Sequence, residues 1–279
     1  MSLFFRRLGA VCGYLLFSLL LLAVLLALRF PAQPLRVLLE AHLSPQLPAL
    51  TCTIGPGQLT RQGLLFNFIS WTRPGESSPL LRIERLQIRP LLRGRDGSTL
   101  PLAEWNGTVY GGSLRGTLGL VPGRREFRLT AWIEGLRLEE NAALRQALDR
   151  NLSGRLQAEV RLAAGWKPLR VLELTLGLAL DDAVLSLRQP LLGLDQLELT
   201  GLNSRWRLQG GQWLAEECNF GCNLGTGKCD GMVIPLPPPS WGRLELHGRM
   251  TPASGLPAQN RDLPFSLAGT MELPSWRWN

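Results

Sequence analysis

Strict alternation of apolar and polar residues on both sides of a Gly-Gly pair is the feature that most constrains the fold of this chain. Residues 105–120 read WNGTVYGGSLRGTLGL. Before the pair, the apolar positions recur from Trp105 to Val109, and after it they recur from Leu114 to Leu120. A period of two around a glycine pair is typical of a β-hairpin.

The same cadence, a glycine two residues from a leucine or methionine, returns along the chain. It occurs at 152–156 (LSGRL), 242–246 (GRLEL) and 267–273 (LAGTMEL). From Leu50 onward, strand patterns alternate with clusters of Gly, Pro, Asn and Asp. We therefore predict a mainly β protein whose body is a long antiparallel meander with one or two short helices. Curving into a groove, a barrel or a sandwich would each bury the leucine face of such a sheet, and the pattern does not choose among them.

Individual segments carry more specific expectations. A hairpin is predicted around Arg61-Gln62-Gly63, and the mixed pattern of 81–88 fits either a strand with a bulge or a short helix. Asp181-Asp182 is expected to form a turn. Glu139–Arg150 is predicted to be a helix that plugs one end of the sheet. Further strands are predicted at 51–60, 64–71, 125–136, 152–162, 171–180, 183–188, 194–200, 205–209, 212–220, 242–250 and 264–273.

The amino terminus contains a long apolar run. Residues 8–28 carry no charged side chain, and at about 1.5 Å per residue such a helix spans the hydrocarbon layer of about 30 Å. The end of the run lacks the A-x-A pattern of a cleaved signal peptide, which favours an uncleaved anchor. Arg6 and Arg7 precede the run, so the positive-inside rule places the tail in the cytoplasm, although Arg29 and Arg36 beyond it weaken this bias.

Three regions are therefore expected. Residues 1–30 are a cytoplasmic tail and transmembrane anchor, residues 31–49 a juxtamembrane linker with a short helix, and residues 50–279 a periplasmic β-rich domain. Pro31 and Pro34 end the membrane helix, and leucines at helical spacing follow. This short helix either lies near the bilayer surface or caps the β body. The resulting localisation is the inner membrane, with a single span and the bulk of the chain in the periplasm.

The net charge of +8 comes almost entirely from arginine, since Lys167 and Lys228 are the only lysines. These arginines are spread along the predicted strands, and no basic run with interleaved aromatic residues exists. We interpret them as the solvated face of the sheet and expect no nucleic-acid partner.

The cysteine-rich segment CNFGCNLGTGKC contains Cys218, Cys222 and Cys229. A zinc site would have to recruit Cys52 or His247 as a fourth ligand, so a disulfide is the simpler interpretation in an oxidising periplasm. Cys218 and Cys222 would lie about 13 Å apart on a regular strand, which is too far for a bridge. The glycine-containing loop between Cys222 and Cys229 closes more easily, so these two are the predicted pair.

No catalytic, cofactor-binding or metal-binding residue emerges from the sequence. The two histidines, His42 and His247, lie beside no Ser or Cys motif, and a nucleophile would need such a base. Glu139-Glu140 and Glu216-Glu217 are adjacent pairs whose side chains should diverge. Gly225–Cys229 imitates a phosphate-binding loop, but its first glycine is misplaced and Cys229 stands where Ser or Thr is required. We expect no enzyme activity and no cofactor.

Four features together carry a resemblance to a known family. They are the uncleaved amino-terminal helix, the YGGSLRG hairpin of 110–116, the predicted helix leading into LSGRL at 152–156, and LAGTM at 267–271. The chain resembles the type II secretion system protein N family, in the form that is similar to AsmA-type envelope proteins.

This resemblance covers most of residues 35–279 and implies an inner-membrane accessory component of a protein secretion machine, with other secretion subunits as partners. It carries over no catalytic residue. Relatives of the AsmA type form lipid-conducting β-grooves, so the alternative it implies is an envelope protein that binds or conducts lipid. The segment 218–229 departs from the plain strand expected there and is interpreted as a local insertion.

Overall fold

The computed structural model describes residues 50–75, 78–91, 100–148, 151–166, 169–191, 194–235, 242–253, 262–270 and 274–278, together with residues 18, 36–37 and 40–41. These residues form a 15-stranded sheet. Its strands are β1 (Thr51–Ile54), β2 (Gly57–Thr60), β3 (Gly63–Thr72), β4 (Leu81–Pro90), β5 (Leu100–Val109), β6 (Gly112–Leu120), β7 (Glu126–Arg137), β8 (Leu152–Trp166), β9 (Leu169–Leu191), β10 (Leu194–Gln209), β11 (Gln212–Cys222), β12 (Gly225–Ile234), β13 (Arg243–Pro252), β14 (Leu263–Thr270) and β15 (Pro274–Trp278).

The strands follow one another in the sheet as they do in the chain. From β3 to β15 each strand pairs antiparallel with the next, while β1 and β2 both pair with β3. β1 and β2 are thus two halves of one edge strand, interrupted at Gly55-Pro56. The prediction of a mainly β antiparallel meander is confirmed. Because β1 and β15 lie at opposite ends of the strand order, the described sheet is open and its ladder does not close into a barrel.

Two hydrophobic cores lie on one face of this sheet. The first gathers buried residues of β1 to β7 and the segment that follows: Cys52, Ile54, Phe66, Ile69, Ile83, Leu86, Val109, Leu114, Leu136 and Leu138. The second, near the carboxyl end of the meander, consists of Leu224, Met250 and Phe265 with partly buried neighbours that include Phe220 and Trp276. Burial of such side chains is the main favourable term in folding, so each core stabilises the strands at its own end of the sheet.

Several glycines of the sheet have a physical explanation in the register of the strands. Four glycines on the core side stand directly opposite an aromatic residue of the adjacent strand: Gly57 opposite Phe66, Gly116 opposite Trp105, Gly227 opposite Phe220 and Gly248 opposite Phe265. In each pair, a Cβ on the glycine would meet the aromatic ring at 3.0 Å or less. The missing side chain therefore makes room for a ring to lie over the neighbouring backbone.

The helix between β7 and β8 is shorter than the predicted Glu139–Arg150. A 3-10 turn, Leu138–Glu140, leads into helix α1 (Ala142–Leu148). Asn141 caps α1, since its side-chain oxygen accepts a hydrogen bond of 2.9 Å from Leu144 N, as N-terminal capping residues do. Its amide group also donates to Leu80 O at 3.2 Å. Leu144 packs against the first core, so α1 covers this end of the sheet.

Several predicted boundaries are corrected. Asp181-Asp182 is no turn, because β9 runs through it with a register shift against β8, and Asp182 adopts a positive φ of 50°. The predicted strands 194–200 and 205–209 are one strand, β10. The pattern of 81–88 is a strand with an irregularity between Glu84 and Gln87. The proposed insertion at 218–229 is instead a hairpin, and its second strand, β12, was not predicted.

The predicted membrane anchor, residues 1–30, lies outside the described residues apart from Ser18, which is helical. Among the residues that the structure does describe, no helix is long and apolar enough to cross a bilayer.

A contact near the amino terminus fastens the linker to the edge of the sheet. Arg36, Val37, Glu40 and Ala41 are helical. The Glu40 carboxylate accepts hydrogen bonds from Ile54 N at 2.8 Å and from Arg36 Nε at 2.9 Å. Glu40 therefore satisfies an edge N–H of β1.

This contact makes the attachment sensitive to acid. Burial raises the pKa of Glu40, but the hydrogen bonds from Ile54 and Arg36 and the Arg36 charge outweigh it and leave the pKa below its usual value. Because the pKa of Glu40 is lower in the folded state, its carboxylate stabilises the folded protein at pH values above the unfolded-state pKa. This stabilisation is lost as the pH falls through the folded-state pKa.

Replacing Glu40 by alanine is expected to lower the free energy of unfolding at neutral pH by about 1 kcal/mol, because Ile54 N loses its acceptor. Glu40→Gln is the matched control, since it keeps an acceptor and loses the titrating group. Denaturant unfolding at neutral pH and at about pH 4 measures both effects. The wild type should lose more stability on acidification than either variant, and equal losses in all three proteins would refute the contact.

Candidate functional site

The central strands present a continuous apolar face. We define the apolar face as the core-side residues of β7 to β11, which occupy alternate positions along most of each strand. They are Phe127, Leu129, Ala131, Ile133, Leu156, Ala158, Val160, Leu162, Ala164, Leu174, Leu176, Leu178, Leu180, Leu202, Ser204, Trp206, Leu208, Trp213, Ala215, Cys218 and Phe220. In the register, Ile133, Ala158, Leu178 and Ser204 form one row across four strands.

The large side chains of the apolar face are only partly buried. The fully buried members are small, namely Ala164, Ser204, Ala215 and Cys218, whereas every leucine on the face keeps intermediate exposure. At the margins of the face, Ile133, Leu156 and Leu180 pack against the first core and Phe220 packs against the second. Between these margins the large side chains stay partly exposed.

The apolar face offers almost no hydrogen-bonding group to a ligand. Ser204 is its one hydroxyl-bearing residue, and it is 3% exposed. Trp206 Nε1 donates to Ser204 Oγ at 3.0 Å, so these two groups satisfy each other within the face. Trp213 contributes the one other side-chain donor of the face, its indole N–H, so an occupant of this surface would be recognised mainly by its apolar surface.

The opposite face of the same strands is polar and contains several ion pairs. Arg161 lies 2.7 Å from Glu159, Arg207 lies 2.6 Å from Glu216, and Arg115 is paired with Glu134. Trp132 Nε1 also donates to Glu159 at 3.1 Å. Exposed pairs of this kind contribute little to stability individually, and they match the expected solvated arginine face.

A broad concavity of about 980 Å³ lies on this polar face. Its floor is β9, where Thr175, Gly177 and Ala179 are small, and its walls are the longer charged side chains of β8 and β10.

Glu216 and Glu217 do not diverge as predicted. A register irregularity in β11 opposite Arg205 and Trp206 lets both carboxylates reach the polar face, where Glu216 pairs with Arg207 and Glu217 with Arg205 at 3.9 Å. β-bulges commonly redirect side chains in this way. Both carboxylates line the concavity with an arginine partner each, so they form part of the ion-pair surface.

The disulfide joins Cys218 to Cys229, and the predicted pairing of Cys222 with Cys229 is wrong. Cys222 is a free thiol opposite Gly225, because β11 and β12 are joined by a two-residue turn at Asn223-Leu224. Counting back from that turn brings Cys218 opposite Cys229, with 5.0 Å between their Cα atoms. The loop assumed between Cys222 and Cys229 is strand, and it holds these two residues about 13 Å apart.

The remaining candidate residues do not converge. Burial raises the pKa of the Cys52 thiol, and the Glu40 carboxylate adds to this, so the thiol stays protonated and unreactive. His247 lies on β13 opposite Asp230, whereas His42 is outside the described residues. Within the described part of the chain, no group of three or more His, Cys, Asp or Glu residues is placed to hold a metal ion.

A second concavity of about 840 Å³ lies on the polar side of β11 to β14. Lys228 of β12 and Arg249 of β13 face each other there across the strands. Sequence reasoning missed this pair because β12 was not recognised. The signal was present in the alternation of Thr226, Lys228 and Asp230 with Gly225, Gly227 and Cys229.

No protein-family model, curated protein or solved structure matches the chain.

Proposed function

We propose that the protein is a non-enzymatic envelope protein whose open sheet holds lipid acyl chains on the apolar face. The observation that carries this proposal is the partial exposure of the leucines on β7 to β10, whereas β1 to β5 contribute large side chains that are fully buried, such as Ile54, Phe66 and Val109. Soluble monomers seldom expose apolar patches larger than a few hundred Å², and larger patches mark interaction sites.

The dimensions of the apolar face fit hydrocarbon chains. Leu174 to Leu180 extend about 20 Å along β9, and β7 to β11 extend about 19 Å across the sheet, which gives roughly 400 Å² of surface. One leaflet of a bilayer contributes about 15 Å of hydrocarbon, so an acyl chain can lie fully along the leucine row. The absence of unsatisfied polar groups around Ser204 and Trp206 suits a hydrocarbon better than a peptide, which would leave its backbone groups unpaired there.

The position of the chain in the cell belongs to the same proposal. The uncharged run of residues 8–28 would anchor the protein in the inner membrane with the sheet in the periplasm. A bilayer would then lie close to the apolar face and supply its ligand. A carboxy-terminal tag should accordingly be digested by protease added to spheroplasts, and a protected tag would reverse this orientation.

Site-specific photo-cross-linking tests the occupant directly. A photoreactive amino acid introduced at Leu176, on the apolar face, should capture phospholipid in cells whose lipids are radiolabelled. The matched control is the same amino acid at Thr175, which lies next to it on β9 but faces the polar concavity. Equal labelling at both positions, or no lipid at Leu176, would refute lipid binding by this face.

The second candidate is a structural or assembly component of a type II secretion apparatus, as the family resemblance implies. The observation that favours it is the free edge of β15, which pairs only with β14 among the described strands. Such an edge can accept a strand from a partner subunit. Deletion of the gene should then leave exoproteins in the periplasm, and normal secretion by the deletion strain would reject this candidate. In the photo-cross-linking experiment, a protein adduct in place of lipid at Leu176 would also favour the secretion role over lipid binding.

A further inference from the structure

The polar side of β11 to β14 contains a charge arrangement that differs from the rest of the sheet. Lys228 and Arg249 are direct cross-strand partners, so their Cβ atoms are held about 5 Å apart on the same face. Both side chains are exposed and both line the second concavity. Like charges directly opposite each other destabilise an antiparallel pair.

Elsewhere on the polar face, several arginines are neutralised by nearby carboxylates. Arg207 pairs with Glu216 across β10 and β11, and Arg243 pairs with Glu245 at 3.0 Å on β13 itself. Neither Lys228 nor Arg249 has a carboxylate within ion-pair distance in the described part of the chain. Lys228 and Arg249 are thus two neighbouring cations without a carboxylate partner, whereas Arg207 and Arg243 each have one.

The neighbours of this cation pair are suited to an oxyanion. Asn219 lies opposite Lys228 on β11 and offers an amide, and Thr226 and Thr251 are cross-strand partners one row away. Asp262 accepts a hydrogen bond of 2.7 Å from Thr251 Oγ1, and Asp230 lies opposite His247 in the next row on the other side. Carboxylates therefore flank the pair at both ends of the concavity and leave the space between Lys228 and Arg249 for a single negative group.

We propose that Lys228 and Arg249 form a binding site for a phosphate group, carried by a small polar molecule or by a lipid headgroup. The guanidinium of Arg249 presents a planar set of donors to two phosphate oxygens, and the Lys228 ammonium adds a mobile point charge. A bound phosphate also removes the repulsion between the two cations. The segment Gly225–Cys229 is strand, so this site recognises phosphate by side chains and is unrelated to a glycine-rich phosphate-binding loop.

The site is independent of the lipid-binding proposal. It lies on the opposite side of the sheet from the apolar face, so a lipid whose acyl chains occupy that face does not bring its headgroup here. Failure of either proposal leaves the other standing.

Titration calorimetry of the full chain in a micelle of uncharged detergent tests the site. The probes are inorganic phosphate and glycerophosphoglycerol, a soluble phosphodiester that carries a lipid headgroup without acyl chains, with glycerol as the neutral control. Saturable binding of either phosphate compound, with none of glycerol, is expected. Tighter binding of inorganic phosphate would indicate a free phosphate or phosphomonoester ligand, and tighter binding of the diester would indicate a headgroup.

Charge-neutral variants localise the binding. Lys228→Gln and Arg249→Gln should each weaken binding at least about tenfold, as expected for loss of a charge-assisted hydrogen bond. Arg243→Gln is the matched control, because it removes the same charge from the same strand at a paired position, and it should change affinity less than about twofold. An equal loss in all three variants would show that only net charge matters and would overturn the site.

Arg249→Glu separates binding from folding. It places a carboxylate opposite Lys228, so the melting temperature should be unchanged or higher while phosphate binding disappears. Retention of phosphate binding in this variant, or no phosphate binding by the wild type, would overturn the proposal.

Discussion

Replacing Cys218 and Cys229 together by alanine is expected to lower the free energy of unfolding by about 2–3 kcal/mol under non-reducing conditions. The crosslink joins residues separated by 11 positions, and removing it restores the loop entropy of the unfolded chain. Both cysteines are replaced so that no buried unpaired thiol is left on the apolar face. Denaturant unfolding of the folded chain measures the change.

The control for this prediction is Cys222→Ala, which removes the free thiol of the same strand. It should change the free energy of unfolding by less than the double variant, and reductant should destabilise it as it does the wild type. The double variant should be insensitive to reductant. Equal stability of the double variant and the wild type would contradict a stabilising crosslink.

Peptide mapping distinguishes the observed pairing from the one predicted from sequence. Trypsin cuts after Lys228, which separates Cys229 from a peptide containing both Cys218 and Cys222. The linked peptides should therefore persist in Cys222→Ala and vanish in Cys218→Ala. The reverse outcome would restore the Cys222–Cys229 bridge.

The cysteine pairing illustrates where sequence reasoning fails in this chain. The pair follows from the register of β11 and β12, and that register follows from the two-residue turn at Asn223-Leu224. β12 contains Gly225, Gly227 and Gly231 and has Val233 and Ile234 only at its end, so most of the segment has a weak propensity for strand. The Phe220 ring opposite Gly227 supplies packing that the local sequence does not reveal.

Strands with regular alternation were predicted well because period two is a local property. β6 and the hairpin of β2 and β3 match their predicted positions closely. Asp181-Asp182 was misassigned because its conformation depends on a distant partner. Arg155 of β8 lies 2.7 Å from Asp182, and this contact accompanies the register shift that keeps β9 continuous. Whether the first and last strands of the sheet pair with each other also depends on long-range contacts. No local sequence pattern therefore predicts that the sheet stays open.

Substitution of Gly116 by alanine is expected to lower the free energy of unfolding by about 1–3 kcal/mol through overpacking. A Cβ at this position would overlap the Trp105 ring and lie 2.6 Å from Thr130 O on the other neighbouring strand. The ring packs against the first core, and the carbonyl belongs to the backbone of β7, so neither can withdraw freely. The prediction therefore tests whether Gly116 is needed to make room for the Trp105 ring.

Gly177→Ala is the matched control for Gly116→Ala. Gly177 lies within regular ladders of β9, and a Cβ there would meet Glu159 at an ordinary 3.7 Å. Alanine should stabilise this position by up to about 1 kcal/mol, because glycine loses more conformational freedom on folding. In a Trp105→Leu background the cost of Gly116→Ala should shrink and stay above zero, since the ring overlap is removed while Thr130 O stays in place. Equal effects of alanine at Gly116 and Gly177 would mean that glycine at position 116 reflects backbone preference instead of room for the aromatic ring.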